Sequence, residues 1–267
     1  MDVGIAGFGT IGAEVGRRLV AGIEGLRFVG VTSGTRAKAE AKLAEIGAPD
    51  VRVMSPAELA ERAEIIVECA PTAAFLEIVT PALQAGRQVV TVSAAALIEN
   101  MHVVDIARAH GGRIVMATGA LLGLDAVRAA ALGSIASVTM VTRKPPKSLK
   151  GAPMIEAQGV DVMALTEPLL LFKGSAREGA RGFPANVNVA AALALAGIGP
   201  DRTQLEIWAD PALERNTHRI LVESDSARFE LKIENIPTIE KPGTGRITAL
   251  SMVAALEGLS SPLKIGS

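Results

Sequence analysis

The chain has no tyrosine, one tryptophan, one cysteine and three histidines among its 267 residues. Aromatics are 3% and hydrophobic residues 49%, so the core has to be built from alanine, valine, leucine and isoleucine. A single cysteine, Cys69, excludes an internal disulfide framework and suits a reducing cytosol. The formal charge of −1 leaves no basic excess, which a nucleic-acid groove or an anionic membrane surface would demand. The opening "MDVGIAGFG" lacks a basic leader followed by an apolar stretch and a cleavage site, so no signal peptide is expected. Apolar runs such as "NVAAALALAGIG" are too short to span a bilayer. Histidine, cysteine and carboxylates do not cluster at ligand spacing, so no metal is expected. What is left is a soluble cytoplasmic protein that takes a small molecule, with neither nucleic acid nor membrane as partner.

Strand and helix signals alternate through the first third. "DVGIAG", "LRFVGVTS", "EIIVECA", "RQVVTVS" and "RIVMAT" read as strands. "TIGAEVGRRLVAGI", "RAKAEAKLAEIG", "PAELAER", "AAFLEIVTPALQAG" and "NMHVVDIARAHG" read as the helices between them. This alternation predicts a parallel sheet with helices on both faces. After the helix "LDAVRAAALG" the grammar changes. "ASVTMVTRK", "QLEIWAD", "HRILVES" and "RFELKIENI" are strand-like, and the last alternates at Phe229, Leu231 and Ile233, as a one-faced antiparallel sheet requires. Two strong helices accompany them, "PANVNVAAALALAG" and the closing "RITALSMVAALEGL".

"GIAGFGTIGAEVG" sets Gly7, Gly9 and Gly12 in G-x-G-x-x-G spacing, directly after a strand and directly before a helix. Gly7 permits the tight turn, Gly9 lets backbone approach a pyrophosphate, and Gly12 lets helix and strand pack closely. Thr10 and Ile11 fall inside the same loop. The strand–turn–helix context supports a dinucleotide site over a ligand-free glycine turn. NAD preference would put a carboxylate at the end of the second strand. There the chain carries Ser33, Gly34, Thr35 and Arg36, and no carboxylate before Glu40. Hydroxyls and an arginine suit a 2′-phosphate, so NADP is expected to be accepted at least as well as NAD; the bland alternative makes Arg36 a solvated first-turn residue. Cys69, Ala70 and Ala94 follow later strands, whose carboxyl ends line the cofactor crevice in this fold. Cys69 reads as a small buried apolar residue, since no neighbouring base or cation lowers its pKa.

The expected architecture is α/β: a Rossmann-type dinucleotide-binding domain of residues 1–118 plus 240–267, and an α+β second domain of residues 119–239 with a mainly antiparallel sheet. "TRKPPKSLKG", "FKGSAREGARGFPANVNVAAALALAGIGPDRTQLEIWADPALERNTHRI" and "RFELKIENIP" carry a resemblance to L-aspartate dehydrogenases, two-domain enzymes that oxidise L-aspartate with NAD or NADP. The F-P-x-N-x-N-V-A-A run is much more specific than the glycine loop. The resemblance implies that His218, at the end of a D-P-x-x-x-R-N-x-H pattern, is the catalytic group. It also implies that Asn186 and Asn188 face the nicotinamide end of the cofactor and that Gly119 and Ala120 form the turn after the last Rossmann strand. A homodimer through the second-domain sheet, L-aspartate or a similar dicarboxylate as substrate, and a role in pyridine nucleotide biosynthesis follow from it as expectations. Where the family often reads S-V-G-A-L, this chain has Ser93-Ala94-Ala95-Ala96-Leu97.

The chemistry agrees with that assignment. Oxidising an amine to an imine needs an uncharged nitrogen, and hydrolysis of the imine needs a proton acceptor for water. An imidazole of ordinary pKa, ~6.5, suits both tasks, and His218 is the only histidine of the second domain. His102 and His110 read as solvated helix residues. The carboxylates of the substrate need cationic partners, for which Arg143, Lys144, Lys147, Lys173 and Arg177 are equal candidates. One or other of Asn186 and Asn188 is expected to cap its helix, leaving the other for a ligand. Two rival readings share the architecture: an NADP-dependent reductase or dehydrogenase of another small imino or semialdehyde acid, and a non-catalytic NADPH sensor.

Overall fold

Short apolar runs ending in glycine or a small polar residue build the first sheet. In the computed structural model, which describes residues 1–183, 187–241 and 243–266, these runs are β1 (Asp2–Ala6), β2 (Arg27–Thr32), β3 (Arg52–Val53), β4 (Ile65–Glu68), β5 (Gln88–Thr91) and β6 (Arg113–Met116). They pair in parallel throughout, in the order β3-β2-β1-β4-β5-β6. Helices cover such a sheet on both faces, which is why Val3, Ile5, Ile65, Val67, Val89 and Val90 are all fully buried. From Thr248 onward the closing helix, Arg246–Ser260, belongs to this body: its Met252, Val253 and Leu256 join Val3, Ile5 and Val31 in one core cluster. Each such side chain removed from water contributes about 1.5–3 kcal/mol.

The second sheet comprises β7 (Ile135–Lys144), β8 (Leu169–Ser175), β9 (Gln204–Ala209), β10 (Thr217–Ser224) and β11 (Arg228–Glu234), in the order β11-β10-β7-β9-β8. All neighbours are antiparallel except β7 and β9. A parallel pair needs a crossover connection, and here it carries β8 and the helices Pro153–Gln158, Ala176–Gly182 and Asn188–Ala196. Period-2 alternation gives this sheet one buried face, on which Val138, Met140, Leu205, Ile207, Ile220 and Val222 lie.

The chain divides into two compact units, Met1–Gly119 with Thr248–Ser267, and Ala120–Ile247. Among the described residues, no helix is long and apolar enough to cross a membrane.

Candidate functional site

In the first unit the strand order reverses between β1 and β4, and in sheets of this kind the crevice at that reversal takes the ligand. The loops after β1 and β4 meet there. Gly7 has φ +95°, and a Cβ on it would lie 2.5 Å from the Ala70 nitrogen. The Cys69 thiol donates to the Gly7 carbonyl at 3.1 Å. A Cβ on Gly12 would fall 2.1 Å from the Gly7 oxygen, so the helix Thr10–Ala21 starts flush against the turn. Gly9, its N-cap, differs: a Cβ there would meet nothing within 4 Å. No side chain caps this helix and no acid stands in its first turn, where Thr10 and Ile11 are half-buried. Exposed backbone at Gly9, a helix start aimed at it and the absence of local negative charge fit a dinucleotide pyrophosphate.

At the far end of the crevice, Ser33, Gly34 and Thr35 follow β2 with no carboxylate among them. Arg36 opens the next helix and is exposed, yet it is not freely solvated. Its guanidinium donates to the Val53 carbonyl at 2.9 Å and pairs with Glu40 at 3.4 Å. That ties the guanidinium to β3 and to a carboxylate one turn along its own helix.

Glu68, absent from the sequence-based candidates, is fully buried at the end of β4. Its carboxylate accepts the Ala70 N–H at 3.0 Å and the Thr91 hydroxyl at 2.5 Å, and Thr91 in turn accepts the Ser93 N–H at 2.9 Å. Glu68 and Thr91 are register partners on β4 and β5, so one carboxylate ties together the two loops that carry Cys69, Ala70 and Ala94. Burial pushes its pKa up, and hydrogen bonds from Thr91, Ser93 and Ala70 pull it back. The signal available in the sequence was an acid inside the apolar run "IIVECA". Burial, with the charge of Glu68 as a smaller cause, also pushes the Cys69 thiol up, so it is a poor nucleophile. Ala94 starts a short buried helix, Ala94–Glu99. No non-glycine among the described residues has positive φ, so alanine occupies this stretch without strain.

In the second unit, His218 sits on the buried face of β10, 2% exposed. Its register partner on β7 is Thr142, whose Oγ1 lies 3.1 Å from Nδ1. Two residues further along β7, on the same face, is Lys144, 4% exposed. Strand alternation thus gathers a hydroxyl, an imidazole and an ammonium at one end of a face that is otherwise mostly apolar. The expectation of an ordinary imidazole pKa is corrected here. Burial first, and the charge of Lys144 second, hold His218 down to about 3. Burial alone brings Lys144 down to about 8.

The segment leading into β10 is pinned by Asp210, itself buried. It accepts from Arg143 and from the Ala212 N–H, both at 3.1 Å, while its own N–H donates to the Lys144 carbonyl at 2.9 Å. Arg143 lies on the opposite face from Lys144, its guanidinium 5.0 Å above the Trp208 ring. Lys173 pairs with Glu206 at 3.0 Å, and Arg177 is bidentate to Asp201 at 2.6 and 3.0 Å. Lys147 borders a cavity of about 30 Å³ with Asn216 and Asn235.

Asn188 is the first residue of its helix and is exposed; Val187, not an asparagine, occupies the cap position, and Asn186 lies outside the described residues. Gly119 turns at φ +65° and donates to the Ser251 hydroxyl at 3.0 Å, while the Ala120 carbonyl accepts from the Asn235 amide at 3.1 Å. His102 and His110 are exposed at the two ends of their helix. Among the described residues, no group of three or more His, Cys, Asp or Glu is placed to hold a metal ion.

Two family models match the chain: the NAD-binding domain of homoserine dehydrogenase over residues 7–117, and the C-terminal domain of aspartate dehydrogenase over residues 125–259. An L-aspartate dehydrogenase of Bradyrhizobium diazoefficiens is 52% identical over 267 residues, all of this chain and 94% of that protein. L-aspartate dehydrogenase 3 of Bordetella bronchiseptica is 49% identical across all of this chain and 98% of its own length. The crystal structure of aspartate dehydrogenase from Thermotoga maritima superposes with a TM-score of 0.76 at 26% identity, over 100% of this chain and 99% of that one.

Proposed function

The chain belongs to the L-aspartate dehydrogenase family, and from that premise we propose that it oxidises L-aspartate to iminosuccinate with NADP or NAD, with His218 as the proton acceptor. Bound NAD(P)+ supplies the acceptor for the hydride that leaves Cα. The protein's share is to position, to exclude water and to move protons. Gly7, Gly9, Thr10, Ile11 and Gly12 hold the pyrophosphate on backbone N–H groups and the helix start. Ser33, Thr35 and Arg36 receive a 2′-phosphate, and Cys69, Ala70 and Ala94 line the remainder of the cofactor in the first unit.

The observation that carries the reading is the pairing of His218 with Thr142. When Nδ1–H donates to Oγ1, the lone pair of Nε2 is left to take a proton from the substrate amine. Burial keeps this imidazole neutral and its lone pair open in the physiological range, at the cost of lower basicity than a solvated histidine has. Once Nε2 has released that proton to solvent, the same nitrogen can accept one from the water that adds to the imine carbon and return it to the departing nitrogen, giving oxaloacetate and ammonia; the reverse direction is reductive amination. Iminosuccinate released before hydrolysis would feed pyridine nucleotide biosynthesis.

A homodimer formed through the second sheet is part of the proposal. Half-buried Val141, Trp208 and Leu221 share the outer face with exposed Leu170, and sedimentation of the purified chain tests it. A cytoplasmic location, suggested by the single cysteine, is tested by fractionation. The main experiment follows absorbance at 340 nm with a panel of amino acids and both cofactors. Turnover of L-aspartate is expected, with NADP used at least as well as NAD. Turnover of another amino acid alone, or of none, would overturn the reading.

A further inference from the structure

The sheet of the first unit divides at the reversal between β1 and β4. Its β1–β3 half carries the glycine loop and the segment from Ser33 to Arg36, which suit the pyrophosphate and the adenosine end of a dinucleotide. In sheets of this kind each half takes one nucleotide, which leaves the carboxyl ends of β4 and β5 for the nicotinamide end. At those two strand ends stands Glu68, a fully buried carboxyl group that the proton chemistry proposed above does not use.

The groups that reach this carboxyl all donate to it. The Ala70 N–H lies at 3.0 Å and the Thr91 hydroxyl at 2.5 Å, and the Ser93 hydroxyl joins them. An amide N–H cannot accept, and the Thr91 oxygen already accepts the Ser93 N–H, so its own hydrogen is free for Glu68. These donors suit a carboxylate. They are all neutral, however, and no positive side chain acts on the group. A buried anion without a counter-charge costs stability. The charge also lies one residue beneath the crevice. Cys69 and Ala70, which follow it, are half-buried, and the Ala70 nitrogen that it holds is the atom a Cβ on Gly7 would meet at 2.5 Å.

We propose that Glu68 is a buried counter-charge for the oxidised cofactor, favouring the form whose nicotinamide ring is positive over the reduced, neutral form. It acts as an electrostatic and positioning residue, through its field and through the two loops it ties. The inference rests on the dinucleotide site and not on the identity of the amino-acid substrate. Hydride transfer neutralises the ring, so the attraction is present before the transfer and gone after it. The site thus holds the oxidised cofactor and lets the reduced one go more readily. A unit charge acting across about 10 Å at an effective dielectric of ~20 changes a binding constant about tenfold or slightly more.

The test titrates the full chain with NADP+, NADPH, NAD+ and NADH, comparing the wild type with Glu68→Gln, Glu68→Met and Glu68→Asp. Glutamine is nearly isosteric and keeps an acceptor oxygen for the Ala70 N–H. Methionine, of similar length and uncharged, serves if the glutamine variant does not fold. In the neutral variants Kd for NADP+ and NAD+ should rise about tenfold, while Kd for NADPH and NADH stays within about twofold. Glu68→Asp keeps the charge and should keep the wild-type ratio of the two Kd values. Loss of loop positioning alone weakens both forms alike. A folded neutral variant with the wild-type ratio would therefore overturn the proposal, as would a Glu68→Asp protein whose ratio falls as far as that of Glu68→Gln. A wild type that binds none of these nucleotides overturns the proposal and the dinucleotide site together. If the wild type binds them but does not oxidise L-aspartate, the functional reading fails separately, and the ratio still decides on Glu68.

Discussion

Two glycines three residues apart should fail in opposite ways. At Gly12 an added Cβ would lie 2.1 Å from the Gly7 oxygen and 3.1 Å from the Gly7 carbon and from Ile5 Cγ2. The first two of these atoms are backbone, so no side-chain rotation relieves the clash. Gly12→Ala must lift the helix Thr10–Ala21 off β1. Overpacking of this kind costs about 1–3 kcal/mol, which for a chain of this size lowers the melting temperature by roughly 2–12 °C. At Gly9 the backbone is extended, with φ −86° and ψ −153°, and an added Cβ meets no protein atom within 4 Å. Gly9→Ala should therefore leave the melting temperature unchanged or raise it, by about 0.4–1 kcal/mol of unfolded-chain entropy. The same methyl group would occupy the space through which a pyrophosphate approaches the helix start. NADPH affinity should then fall about 5- to 100-fold, taking the same overpacking cost at the ligand. Thermal unfolding and NADPH fluorescence titration read the two effects apart. A Gly9→Ala protein that binds NADPH as tightly as the wild type would refute the placement of the phosphates on this loop.

Three further outcomes are expected. Glu68→Ala leaves the Ala70 N–H and the Thr91 hydroxyl without their buried acceptor, at about 1–3 kcal/mol each, while Glu68→Gln, which keeps one acceptor oxygen, loses less; denaturant unfolding that finds Glu68→Ala as stable as wild type contradicts this. His218 has its folded-state pKa lowered from 6.5 to about 3, so its contribution is fully present above pH 6.5 and is lost as pH falls toward 3, at about 1.4 kcal/mol per pH unit. His218→Gln should flatten that acid limb between pH 6.5 and 5, and identical slopes in urea unfolding would show that the imidazole is not buried neutral. Arg36→Ala should raise KM for NADP about tenfold or more, as loss of a charge-assisted contact implies, and leave KM for NAD unchanged; equal changes for both cofactors would remove Arg36 from the 2′-phosphate site.

Local signals were legible in the sequence and long-range ones were not. The Gly7–Gly12 spacing, the alternating runs and the closing helix depend on neighbours a few residues apart, and each formed where its pattern stood. β8 was not read because "LLLFKGS" has no clean alternation: it is an edge strand whose Leu169 and Leu170 are more than a third exposed. β3 is two residues long, too short to leave a pattern. The helix Ala94–Glu99 is six residues long, too short to show a period, although its three consecutive alanines favour a helix. Family resemblance singled out His218, but its surroundings arise from the pairing of residues 76 apart in the chain. "ASVTMVTRK" reads as a strand up to its last residue, and in the structure Lys144 ends it facing inward while Arg143 faces outward. Nothing local distinguishes those two faces, because either parity of the alternation gives an equally regular strand.

The account stands most directly on the kcat of His218→Asn with L-aspartate, measured beside its NADPH affinity. Asparagine keeps a polar side chain at the position and cannot accept the amine proton. Removal of a general base predicts a fall in kcat of about 10²- to 10⁴-fold, with NADPH bound as in the wild type. A variant that binds NADPH normally and turns over L-aspartate within threefold of the wild type would show that another group takes the proton.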